Sequence, residues 1–143
     1  MKLSRILVPL KGDRADEETV RLACNLGKQY KAAVYVLHVI EVKQALPLDA
    51  DLPDEFQHGE EVLEMAEKAA QGLGVSVEAE LIQARSVGSA IVDVSIERHV
   101  DLIIIPVTYR RRFGDFYLGQ TAPYVLKHAP CRVWVLREPM SEQ

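Results

Sequence analysis

Cationic side chains gather at the ends of the chain's apolar runs. Lys11 follows Ile6-Leu7-Val8-Pro9-Leu10, Arg85 follows a third apolar stretch, and Arg110-Arg111-Arg112 follow Asp101-Leu102-Ile103-Ile104-Ile105. Arginine's planar fork matches the oxygens of phosphate and carboxylate groups, so this set has the chemistry of an anion site. The same three arginines can instead point into water or pair with Asp49, Asp51, Asp54 and Glu55. Gly119-Gln120-Thr121 opens a short helical stretch, whose first N–H groups are free to hold an oxyanion.

Covalent chemistry has less support. No nucleophile beside a base stands out, and neither a G-x4-G-K-(S/T) phosphate loop nor a G-x-S-x-G elbow occurs. Cys24 and Cys131 are far apart, no CxxC pair exists, and His38, His58, His99 and His128 are scattered, which argues against a zinc site or a disulfide framework. His128, in a Lys-His-Ala-Pro turn, suits the C-terminus of a helix. His38 lies within a strand as a core or flanking residue. The expectation is binding without catalysis: no catalytic residue, no metal ligand and no cofactor.

The elements that must position these groups follow from pattern. At 143 residues the chain reads as one domain, 1–143, with 48% apolar residues to form its core. A net charge of −4 argues against a nucleic-acid partner. The N-terminal apolar run, Ile6 to Leu10, is too short for a signal core or a membrane span, so a cytoplasmic location without membrane attachment is expected.

Short apolar runs alternate with amphipathic stretches. Strands are expected at Ile6–Leu10, Ala33–Ile40, Val75–Ile82, Asp101–Ile105 and Arg132–Leu136. Helical spacing places Leu22, Ala23, Leu26 and Tyr30 on one face, with Asp13 or Asp16 as the cap. A second helix carries Val62, Met65, Ala66, Ala69 and Leu73 inward, and Ser86 caps a third. A fourth runs from about Gly119 to His128. The segment 41–56 reads as a long loop, either a ligand-adjacent flap or a solvated excursion. The stretch Pro106–Leu118 reads as irregular. The order βαβαβαβαβ predicts a mainly parallel sheet covered on both faces, with the alternating third strand at an edge. Ligands of such sheets sit beyond the C-terminal strand ends. The candidate binding set is therefore Pro9, Leu10, Lys11, Val39, Arg85, Arg110, Gly119, Gln120 and Thr121, with an anionic small molecule as the ligand class.

Two stretches resemble the universal stress protein family. One is Arg5-Ile6-Leu7-Val8-Pro9-Leu10. The other runs from Asp101-Leu102-Ile103-Ile104-Ile105 through Gly119 to Val125-Leu126-Lys127-His128-Ala129-Pro130-Cys131-Arg132-Val133. The resemblance implies a three-layer α/β/α fold, adenine nucleotide alpha hydrolase-like, with a five-stranded parallel sheet of order 3-2-1-4-5. It also implies a homodimer through the last strand, Val133–Leu136, in which Trp134 is either an interface or a core residue. ATP-binding members share a G-x2-G-x9-G-(S/T) loop. Here its first two glycines fall on Pro106 and Tyr109, the third is kept as Gly119, and the hydroxyl falls on Gln120, with Thr121 one place late. The family's aspartate after strand one falls on Lys11, and the glycine after strand three near Arg85. Proline removes an N–H, and Tyr109 would fill the phosphate space. These departures imply a non-enzymatic stress-response or regulatory protein without the family's usual ATP binding. The alternative is a module taking a nucleotide or other anion between strands 1 and 4.

Overall fold

A computed structural model describes residues 1–140. Five strands form one parallel sheet: β1 (Arg5–Pro9), β2 (Ala33–Glu41), β3 (Val77–Ala84), β4 (Leu102–Val107) and β7 (Arg132–Arg137), in the order β3-β2-β1-β4-β7. Two short antiparallel strands, β5 (Arg111–Arg112) and β6 (Asp115–Phe116), make a separate hairpin. The four helices are α1 (Asp16–Tyr30), α2 (Pro53–Gly72), α3 (Val87–Glu97) and α4 (Thr121–His128).

Alternation along the strands divides the core in two. Ile6, Val8, Val34, Val36, Leu102 and Ile104 face α1 and α2. Leu7, Leu37, Ile103, Ile105 and Val107 face α3 and α4. Every residue of β4 is buried, as a central parallel strand requires. The alternating strand β3 does lie at an edge, and β7 forms the other. Asp101 ties the neighbouring N-terminal ends together: its Oδ2 accepts from Ser4 N at 2.8 Å.

Several boundaries differ from the pattern reading. α1 buries Val20, Ala23, Cys24 and Gly27, whereas Tyr30 is exposed. The contact is made by small residues, because β2 passes close: a Cβ on Gly27 would meet Val34 Cγ2 at 2.9 Å. α2 begins at Pro53, a residue suited to the first helical turn, and β2 reaches Glu41, so the loop between them is shorter than 41–56. β4 continues through Pro106. That proline is tolerated because β4 pairs with β1 only through Ile103, and beyond it has β7 alone as a neighbour. The stretch after β4 is the β5–β6 hairpin, not an irregular loop. Its turn places Phe113 at φ 54° and Gly114 at φ 82°, the two left-handed positions of a type I′ turn.

Candidate functional site

The turn between β1 and α1 carries Lys11, and its shape comes from Asp16. Neither Asp13 nor Asp16 caps α1: the N-cap position is Ala15, with no side-chain bond. Asp13 Oδ1 instead accepts from Ala15 N, and Asp16 reaches back to accept from Gly12 N at 2.7 Å. Asp16 is fully buried, and its Oδ1 has no hydrogen-bond partner among the described residues. Burial pushes the Asp16 carboxyl up to about 6. The Gly12 N–H opposes this, the Asp13 charge adds to it, and the Lys11 and Asp13 N–H groups also oppose it. His38 meets the residue before this turn: its Nδ1 lies 2.9 Å from the Leu10 carbonyl. A carbonyl only accepts, so Nδ1 carries the proton and Nε2 is the free lone pair. Burial, ahead of the other influences, holds His38 below the usual histidine range; the Leu10 bond acts against this and His58 with it.

Beyond the ends of β1, β2 and β4 lies a slot lined by Pro9, Leu10, Lys11, Val39, Pro106 and Thr121, with Leu37, Val87, Ile91 and Ile105 beneath. Five of the nine candidate residues therefore meet in one place. The slot's interior is only ≈ 20 Å³, room for about one water. Its exposed lining is almost wholly apolar.

The remaining candidates lie elsewhere. Arg85 donates to the carbonyls of Lys43 at 2.6 Å and Val42 at 3.4 Å, pinning the loop after β2, and lines a groove with Ser86, Ser89 and Asp93. Arg110 sits over the Tyr117 ring at 5.9 Å. Its Nη2 is 3.8 Å from where a Gly119 side chain would begin, just before the uncapped start of α4. Gly119 has φ 86°, and Gln120 is exposed. Tyr109 is not part of the slot lining. Its ring stacks on Phe116 at 5.5 Å with Arg137 over it at 5.0 Å, and its N–H donates to Glu138 Oε1 at 2.9 Å. The aromatic partners after it capture the ring. That N–H, followed by Arg14, holds Glu138 below the usual carboxylate range. The pattern offered Asp16 only as a helix cap, whereas it shapes the turn, and it did not single out Glu138, which joins the base of the hairpin to Arg14. A buried acid among Asp16-Glu17-Glu18 carries no distinguishing spacing.

The remaining histidines are not in the slot. His128 packs on Tyr124 at 4.2 Å between ring centroids. Among the described residues no group of three His, Cys, Asp or Glu is placed to hold a metal ion. Nor is any helix long and apolar enough to cross a membrane.

Known proteins share this fold. The chain is 28% identical over 144 residues to the universal stress protein MJ0531 of Methanocaldococcus jannaschii, covering 96% of this chain and 84% of that one. Its fold matches the universal stress protein of Archaeoglobus fulgidus, solved in complex with dAMP, at a TM-score of 0.74 and 21% identity over 94% and 98% of the two chains. It also matches universal stress protein UspA from Lactobacillus plantarum at a TM-score of 0.75 and 20% identity, over 96% and 99%. The universal stress protein family model matches residues 2–137, which takes in every strand and helix from β1 to β7. With that span matched, and the sheet order and slot built as above, the chain belongs to the universal stress protein family.

Proposed function

We propose that this chain is a non-catalytic, regulatory member of its family that acts in the cytoplasm and does not hold ATP in its cleft. The observation that carries this is the ≈ 20 Å³ slot at the strand ends, with Pro106, Leu10 and Val39 in its lining. An adenine nucleotide needs a pocket of roughly 300 Å³ or more. Pro106 adds no N–H there, and the aspartate position carries Lys11. The test is a melting-temperature comparison with and without dAMP and ATP. No shift is expected from either; a saturable rise with either one sinks the reading.

The proposal includes a dimer through β7. This strand is an unpaired edge whose Val133, Trp134, Val135 and Leu136 are all half-buried, though they alternate between the two faces. An exposed apolar edge invites a second strand. Light scattering is expected to give twice the 16.0 kDa chain mass. Hydrogen exchange is expected to show protection of the β7 amides that do not bond to β4. A 16.0 kDa species with those amides unprotected excludes this dimer.

A second reading rests on the start of α4. That helix end has no side-chain cap and no acid in its first turn, and Arg110 stands beside Gly119. A guanidinium next to the positive end of a helix is poorly placed unless an anion lies between them. Inorganic phosphate would then be held by Lys11, Arg110 and the first N–H groups of α4. Stabilisation by phosphate over chloride at equal ionic strength, lost in Lys11→Ala, supports it; equal melting in both salts removes it.

A further inference from the structure

The β5–β6 hairpin presents a side chain that its own fold does not use. Phe113 is 93% exposed at the tip, and Phe116 beside it is 44% exposed. Phe113 also occupies a left-handed turn position, where asparagine, aspartate or glycine would sit with less strain. The same segment carries Arg110, Arg111 and Arg112, all exposed, with Arg112 over the Phe113 ring at 5.5 Å and Arg137 over Phe116 at 6.0 Å. Among the described residues none of these four arginines meets a carboxylate. The flat aromatic faces are largely taken: Tyr109 and Phe116 stack on each other under Arg137. What remains is a protruding apolar tip in a cationic collar, a shape that fits a recess with an acidic rim.

Such a recess exists on this chain. Between the end of β2 and the start of α2 is a groove of ≈ 360 Å³, with Val39, Ile40 and the His38 and His58 rings in its lining and Glu41, Asp54 and Glu55 around it. These three carboxylates form no ion pair among the described residues. The hairpin follows β4 and the groove follows β2, so both lie at the C-terminal end of the sheet with β1 between them. The molecule's own hairpin does not fill its own groove, since Phe113 stays exposed.

We propose that Phe113 of one molecule seats in the Glu41–Asp54–Glu55 groove of a second copy, its arginines facing those carboxylates, and that the contact is returned. Two surfaces at the same end of the molecule satisfy the self-complementarity that a two-fold interface demands. Opposed charge patches set the register. This contact is distinct from edge pairing of β7, of which only the terminal Arg137 reaches the hairpin, over the Phe116 ring.

Sedimentation velocity over a concentration series tests it, with circular dichroism and melting curves as folding controls on surface variants. Association of the wild type is expected to weaken about tenfold or more from low to high salt, because the charges are screened. Phe113→Ser and the pair Asp54→Lys/Glu55→Lys are each expected to weaken it about tenfold or more, the loss typical of an anchor side chain. Mixing the two variants pairs an intact hairpin with an intact groove and is expected to restore association above either alone. The proposal is overturned if both variants sediment as the wild type does, at monomer mass or as a salt-insensitive dimer. The latter result would leave the β7 dimer standing and remove only this contact.

Discussion

Replacing Asp16 with asparagine is expected to raise stability relative to wild type by about 2.5 kcal/mol as the pH goes from 4 to 7.5, most of the full effect of the shifted carboxyl. The carboxyl rises from 3.8 to about 6 in the fold, chiefly through burial. At about 1.36 kcal/mol per pKa unit, that shift corresponds to roughly 3 kcal/mol. The sign follows from proton counting. Below the unfolded value both states hold the proton. Between about 4 and 6 the folded state keeps a proton that the unfolded chain has released, so stability falls as pH rises through that window. Above 6 the folded state carries a buried charge whose Oδ1 has no partner among the described residues. Asparagine still accepts from Gly12 N but does not titrate. Its own unsatisfied N–H2 group adds a constant cost, and His38 titrates alike in both proteins, so both cancel in the pH-dependent difference. Urea unfolding of both proteins at several pH values gives that difference directly. A flat difference across pH 4 to 7.5 means Asp16 is not buried as a strained acid.

Gly12→Ala is expected to cost about 2–5 kcal/mol, from backbone strain of roughly 1–2 kcal/mol plus overpacking of about 1–3 kcal/mol. Gly12 has φ 94°, where an L side chain is strained whatever the space around it. A Cβ there would also meet His58 Nε2 at 2.6 Å and Val62 Cγ2 at 2.9 Å. The exposed His58 can swing away; Val62, on the buried face of α2, cannot. The urea midpoint should fall with an unchanged slope, the mark of a native-state effect on stability. A loss under about 0.5 kcal/mol, the range of an ordinary surface change, would mean that the β1–α1 turn does not have this conformation in solution.

Much of the fold is legible in the chain because central parallel strands announce themselves. Leu102-Ile103-Ile104-Ile105 has no polar alternative, and the alternation of Val75–Ile82 suits a strand with one wet face at an edge. What escaped pattern depends on partners distant in sequence. α1 turned its small face inward because β2 approaches Gly27, which helical spacing of large residues cannot reveal. The hairpin escaped because its turn is Phe113-Gly114 rather than the Asn-Gly or Asp-Gly that marks such turns. Half of the site was legible for a topological reason: Pro9, Leu10, Lys11, Val39 and Thr121 all stand at strand or helix ends that the sheet order brings together. Arg85 also stands at a strand end, but the carbonyls of Val42 and Lys43 occupy it. Tyr109 does not line the slot; its ring stacks on Phe116 with Arg137 over it. Pro106, Leu10 and Val39 do line the slot.

The central claim, a family fold whose cleft does not take ATP, is tested most directly by titrating the purified protein with ATP by calorimetry, beside a variant carrying Lys11→Asp, Pro106→Gly, Tyr109→Gly and Gln120→Ser. The account predicts no saturable heat with the wild type up to about 1 mM, a level at which a site of about 10 µM affinity would stabilise the fold by roughly 2.7 kcal/mol. It predicts measurable binding in the variant, if that protein's circular dichroism matches the wild type. Saturable binding of ATP by the wild type at micromolar concentration would contradict it.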